Sequence, residues 1–223
     1  MAGAEGNMVY GGTAPEFEVV ALEPVMVERA ASTLVEAFKS EETANYHLDT
    51  SRPSTLRRMG LIYGVLMRMF LEAGRPVLAA RSDKDIQGVI ILRDPRKVIS
   101  KRRIAVLIIQ NLFSILPHMA CRPVRSLRIM AATRHPDGLT RPYFTVEMLG
   151  VHPGCQGRGV GGTLIRAAQA RGEDDAAVSG VYLNTASEKN RAFYENLGFD
   201  TLCVNDLGTV KVYHLFWQNP AFG

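Results

Sequence analysis

The densest chemical signal lies in the last third of the chain, in Val151-His152-Pro153-Gly154-Cys155-Gln156-Gly157-Arg158-Gly159-Val160-Gly161-Gly162-Thr163. This stretch separates a predicted strand from a predicted helix. Its glycines let successive backbone N–H groups turn toward one point, and a helix N-terminus adds the positive end of a dipole. The product is a site for a phosphate or pyrophosphate. Two common phosphate loops fail on detail. No Gly-Lys-Ser/Thr is present, which excludes a Walker loop. A dinucleotide fingerprint belongs after the first strand of its fold and is trailed by an acid, whereas here the following strand ends in Asn184-Thr185. Glu147 is the second chemical signal. An acid inside an apolar strand is costly unless it is paired with a nearby Arg or functional, so it is a candidate base. His135 and His152 are rival bases, with His152 read as a surface loop residue. Cys155 sits in the loop and is given no catalytic role.

The elements that must position these residues follow from hydrophobic periodicity. Strands are predicted at 17–21, 77–81, 87–92, 143–151, 181–184, 201–205 and 210–216. Helices are predicted from Pro24 through Phe38, from Pro53 to Gly74, at 159–170 and at 188–197. The segment 40–50 reads only as polar. Ser82-Asp83-Lys84-Asp85 reads as a hairpin turn. In strand 143–151, strict alternation puts Thr145, Glu147, Leu149 and Val151 on one face, and Val146, Met148 and Gly150 on the other. A helical insert at about 98–134, broken at Pro117 and Pro123, precedes that strand. Its apolar run 104–116 is expected either to lid a pocket or to pack in the core. Strands alternating with helices predict an α/β layer architecture. The expected organisation is a flexible N-terminus at 1–14 and a single domain at 15–223.

Two motifs together carry a family resemblance. Gln156-x-x-Gly159-x-Gly161, after the strand end Leu149-x-Val151-x-Pro153, resembles the acetyl-CoA-binding signature of the GNAT acyltransferase superfamily. About 35 residues on, Asn190-Arg191-Ala192-Phe193-Tyr194-Glu195-Asn196-Leu197-Gly198-Phe199 resembles its second signature, Asn-x-x-x-Tyr-x-x-x-Gly-Phe. The resemblance implies a GNAT fold: a central, mixed, mostly antiparallel sheet flanked by helices, with its fourth and fifth strands splayed around a pantetheine arm. Within the superfamily, the insert, His135-Pro136 and the run Leu183 to Asn190 are most similar to puromycin-N-acetyltransferase-like members. Asn184 stands where such members carry an acid, so the antibiotic is not inferred as substrate.

By this resemblance the chain transfers acetyl from acetyl-CoA to the primary amine of a small molecule by direct attack. Leu149, Gly150 and Val151 would hold pantetheine and polarise the thioester carbonyl. Gln156, Gly157, Arg158, Gly159, Val160, Gly161, Gly162 and Thr163 would take the pyrophosphate. Tyr194 would protonate the leaving thiolate, with Asn190 one turn earlier on the same helix face. Glu147 matches the position of the family's base, and His135 would line the acceptor pocket. Acetylation of a protein lysine or N-terminus, and a CoA-binding regulatory module without turnover, are the alternatives.

Composition bounds the partners. Apolar residues make up 47% and charged residues 22% of 223, which excludes disordered and collagen-like chains. Cys121, Cys155 and Cys203 are odd in number and form no Cys-x-x-Cys pair, so no metal site is expected and reduced thiols in the cytoplasm are the simplest reading. No export signal or membrane span is expected. The net charge of +4 is uneven: segment 93–134 holds ten Lys/Arg against the single acid Asp94. A solvated helix face accounts for this, and an anionic ligand is the sharper reading. Nucleic acid is not expected as a partner, since interleaved aromatics and a recognised module are missing. The chain is expected to be a monomer or homodimer.

Overall fold

The computed structural model describes residues 17–82, 85–97, 102, 106 and 123–223. Seven strands are formed among them: β1 (Glu18–Ala21), β2 (Val77–Ser82), β3 (Asp85–Arg93), β4 (Phe144–Val151), β5 (Gly180–Thr185), β6 (Asp200–Asp206) and β7 (Lys211–Gln218). They make one sheet in the order β1-β2-β3-β4-β5-β7-β6, antiparallel everywhere except between β4 and β5. The helices are α1 (Val27–Phe38), α2 (Glu42–His47), α3 (Pro53–Glu72), α4 (Pro123–Ala132), α5 (Val160–Glu173) and α6 (Glu188–Glu195).

Most helices begin where the sequence supplies a start. Pro24 opens a single 3-10 turn before α1, and Pro53 occupies the first turn of α3, where its missing N–H is no loss. The Ser187 hydroxyl accepts the Asn190 N–H at 3.3 Å and so caps α6. Within the polar segment 40–50 lies α2, capped by Glu41, whose Oε2 accepts the Ala44 N–H at 3.1 Å.

The sheet buries apolar side chains on both faces. One face packs Val27, Ala31 and Leu34 of α1 and Met67 and Phe70 of α3 against Ala79, Val89 and Ile91. The other packs Leu164, Ile165 and Ala168 of α5 and Tyr194 of α6 against Ile90, Leu92, Val146, Val181 and Leu215. A third cluster joins Tyr46 of α2 and Ile129 and Ala132 of α4 to Val212 of β7.

Strand β4 departs from regular pairing in two places. First, Ile91 pairs with Met148 and Leu92 with Val146, so Glu147 opposes no residue of β3 and forms a bulge. The bulge inverts the alternation. Val146 shares the α5 face with Leu149 and Val151, while Met148 packs on the α1 face. Strict alternation puts Glu147 with Leu149 and Val151, and the extra residue corrects that reading. Second, β4 and β5 pair only through Phe144–Val181 and Thr145–Tyr182 and then part. The sheet is therefore forked along its middle. The expected lid at 104–116 and the N-terminus at 1–14 lie outside the described residues, as does Cys121, apart from the single position Val106.

Candidate active site

The fork opens onto a cavity of about 660 Å³. Its rim comes from every element around the split: Phe38 ending α1, Glu41 and Ala44 at α2, Met59, Ile62 and Tyr63 on α3, and Ile129, Met130 and Thr133 at α4. The floor is Val146, Glu147, Met148 and Leu149 of β4, facing Leu183, Asn184 and Thr185 of β5, with Asn190 and Tyr194 of α6. The volume and the largely apolar wall with a few polar groups are those of a small-ligand site.

Tyr194 is 8% exposed, its ring set against Phe193 and Phe199 at centroid distances of 5.2 and 5.9 Å. Burial raises its pKa above the ordinary phenol value, and the negative Glu41 adds to the rise. The phenol therefore keeps its proton at physiological pH. Asn190 lies one helical turn earlier, on the same cavity wall.

Glu147 projects from the bulge with its side chain 31% exposed, and Oε1 lies 2.6 Å from Arg93 Nε. Arg93 also donates from Nη2 to His135 Nε2 at 2.7 Å, and His135 Nδ1 lies 2.7 Å from the Tyr143 hydroxyl. A guanidinium only donates, so Nε2 is the acceptor and Nδ1 carries the hydrogen of a neutral ring. The pKa of His135 is pushed down to about 4, first by burial and then by Arg93, Arg141 and His214. Its ring packs on Tyr182 at 4.3 Å. His135, expected to line the acceptor pocket, is not among the residues lining this cavity. Both of its nitrogens are bound, and aromatic rings hold it behind Arg93.

Beyond β4 runs the glycine loop. Gly157 and Gly159 have φ of +79° and +84°, a region that glycine enters without strain. Gly159 caps α5, and the first intrahelical bond runs from Thr163 N to Gly159 O at 3.0 Å. The N–H groups of Val160, Gly161 and Gly162 therefore stand ahead of the helical ladder. Gln156 Nε2 reaches back to Val151 O at 3.3 Å, tying the loop to the strand end. Arg158 is exposed beside it. His152 accepts the Gly154 N–H on Nδ1 at 3.2 Å, a local turn contact. Cys155 is half-buried against the core.

The expected residues thus fall into two groups along one line. Glu147, Leu149, Asn190 and Tyr194 line the cavity, and Gln156 to Thr163 form the loop at the far end of β4. Gly150 is buried against α1, where an added Cβ would come within 2.7 Å of Leu34, and Val151 packs toward α5. Sequence reasoning misses Glu41, because a carboxylate in a polar segment carries no spacing signal. It also leaves Arg93 unnamed, although an Arg partner is one of the readings of Glu147. Among the described residues no group of three or more His, Cys, Asp or Glu could hold a metal ion, and no helix is long and apolar enough to cross a membrane.

Residues 126–201 match the family model described as Acetyltransferase (GNAT) domain. A search of curated protein sequences returns no match. Solved structures are similar over nearly the whole chain. Arylalkylamine N-acetyltransferase 2 from Aedes aegypti superposes with a TM-score of 0.62 at 13% identity, covering 91% of this chain and 98% of that one. A protein described as histone acetyltransferase HPA2 and related acetyltransferase, from Corynebacterium glutamicum, gives 0.60 at 16% identity, with 91% and 96% covered. The ribosomal-protein-S18-alanine N-acetyltransferase from Escherichia coli gives 0.51 at 11%, with 91% and 94% covered. The chain has the fold of these acetyltransferase structures, and residues 126–201 within it are similar to the GNAT domain.

Proposed function

We propose that the protein is an acetyl-CoA-dependent N-acetyltransferase acting on a primary amine of a small molecule. The observation that carries this reading is the alignment of three features along β4: the loop ahead of α5, the fork with β5, and the buried Tyr194 at the cavity. Acetyl-CoA supplies an acetyl group on a thioester. The residues present fit it, since a helix N-terminus with Gly157 and Gly159 at positive φ suits a pyrophosphate. The fork leaves strand-edge backbone on β4 for an extended pantetheine arm.

In this reading the amides of Gln156 to Thr163, with Arg158, hold the pyrophosphate. The backbone of Leu149, Gly150 and Val151 holds the arm and polarises the thioester carbonyl. The amine nitrogen forms the C–N bond as the C–S bond breaks. Tyr194 gives its proton to the departing sulfur, and Glu147 takes the proton from the amine through water while Arg93 anchors its Oε1. Helices α2, α3 and α4 wall the cavity, which favours a small acceptor over an extended peptide.

Thermal unfolding with acetyl-CoA, against ATP and NAD, tests the reading. At about 100 times the dissociation constant, linkage gives roughly 2.7 kcal/mol, on the order of 5–10 °C for a chain of this size. Stabilisation by acetyl-CoA alone supports the proposal, and none from folded protein refutes it.

A further inference from the structure

Of the two carboxylates in the cavity wall, only one is ion-paired among the described residues. Glu147 is held by Arg93. Glu41 makes no ion pair among the described residues, and only its Oε2 is engaged, by the Ala44 N–H and the Thr43 hydroxyl. Most of the cavity that Glu41 lines is apolar, with Phe38, Met59, Ile62, Ile129, Met130 and Met148 beside a few hydroxyl and amide side chains. Phe38 and Tyr63 form a tilted ring pair at 6.0 Å on the same wall. A carboxylate that faces such a wall without a cation is poorly compensated. It is also close enough to Tyr194 and Tyr63 to raise both phenols further above their ordinary value. Glu41 therefore sits in the part of the cavity where the proton donor is.

Resting on the N-acetyltransferase reading, we propose that Glu41 seats the ammonium of the acceptor through Oε1, and that the acceptor is a monoamine with a bulky apolar body. The body fills the space between α3 and α4, and the seat brings the nitrogen beside Tyr194. One unpaired carboxylate serves one cationic centre. Polyamines and lysine side chains in peptides would leave further charges or polar backbone against methionine and isoleucine.

The test measures thiol release from acetyl-CoA with 2-phenylethylamine, tryptamine, hexylamine, spermidine and a lysine-containing peptide, for the parent, Glu41→Gln and Glu41→Asp. Gln keeps an oxygen for the Ala44 N–H, so α2 stays capped and melting should be unchanged. The proposal expects the apolar monoamines to lead in kcat/KM. It expects Glu41→Gln to raise their KM by roughly tenfold or more, the scale of one charge-assisted hydrogen bond. Their kcat should change far less, and Glu41→Asp should recover part of the loss. Competitive inhibition by the uncharged 2-phenylethanol should not depend on Glu41. Preference for spermidine or the peptide, or an unchanged KM in Glu41→Gln, overturns the proposal. Stabilisation by acetyl-CoA with no turnover of any panel amine overturns it too, while leaving the cofactor reading intact. Loss of both acetyl-CoA binding and turnover in the parent overturns the two together.

Discussion

Removing the Tyr194 hydroxyl should separate turnover from folding. The Tyr194→Phe side chain keeps the ring that packs at 5.2 Å on Phe193 and 5.9 Å on Phe199. The Tyr194 hydroxyl makes no hydrogen bond among the described residues and lines the cavity rather than being sealed from it. The substitution therefore strands no buried donor or acceptor, and stability should change by no more than about 0.5 kcal/mol. For a chain of this size that is a shift of roughly 1–2 °C. Loss of a positioned general acid lowers turnover by about 10²–10⁴-fold. The assay pairs thermal melting with steady-state thiol release, using the amine that turns over fastest. KM for acetyl-CoA should hold, because neither the loop ahead of α5 nor the strand edge is touched. The parent's kcat should show no descending limb from Tyr194 below about pH 10, since burial raises this phenol above its ordinary value. A variant with the parent's kcat would show that the phenol positions rather than donates, and a large drop in melting would show that the hydroxyl has a structural partner.

Acid should loosen the fold through its histidines. His135 is held near 4 in the fold against about 6.5 when unfolded, so between those values the unfolded chain binds more protons and stability falls as pH is lowered. His214, also shifted down by burial, acts in the same direction, and Arg93, Arg141, Tyr143 and Tyr182 surround the pair. Melting temperature measured from pH 7 to 4 should decline, and His135→Gln should flatten the decline; an identical slope in the variant removes His135 as its source. Gly180→Ala should cripple folding. Its Cβ would lie 2.0 Å from the Trp217 carbonyl oxygen across the β5–β7 pairing, a backbone atom that cannot rotate away, so a loss of about 3 kcal/mol or more is expected in thermal or denaturant unfolding. A variant that melts with the parent would contradict this.

The order of strands and the three helices opened by Pro24, Pro53 and Gly159 are legible in the sequence because each couples a clear periodicity to a local start signal. The loop from Gln156 to Thr163 is legible for the same reason, its backbone chemistry being written in glycines. Tyr194 and Asn190 are expected from the resemblance of residues 190–199 to the second GNAT signature, and both line the cavity. The inversion at Glu147 is not legible, because a bulge is set by how β3 and β4 register rather than by either strand's own pattern. Helix α2 hides in polar residues, since six residues give too few turns for a periodic signal. His135 reads as an acid-base group by residue type. Its fate depends on Arg93, forty-two positions earlier, and on the rings of Tyr143 and Tyr182, and only the fold brings these together.

The forked sheet has a mechanical side. Strand pairing joins the four-strand half, β1 to β4, to the three-strand half, β5 to β7, through two residue pairs, with the Ser179 N–H donating to the Pro142 carbonyl at 2.8 Å just ahead of them. An extended molecule lying in that seam would act as a partial eighth strand, engaging an edge that the polypeptide leaves open. Loading would then act as a keystone, stiffening two half-sheets into one slab, and release would return the seam to its looser state. Amides of 146–151 and 183–185 would be the places to look for that stiffening, because they flank the joint beyond the last strand pair that bridges it.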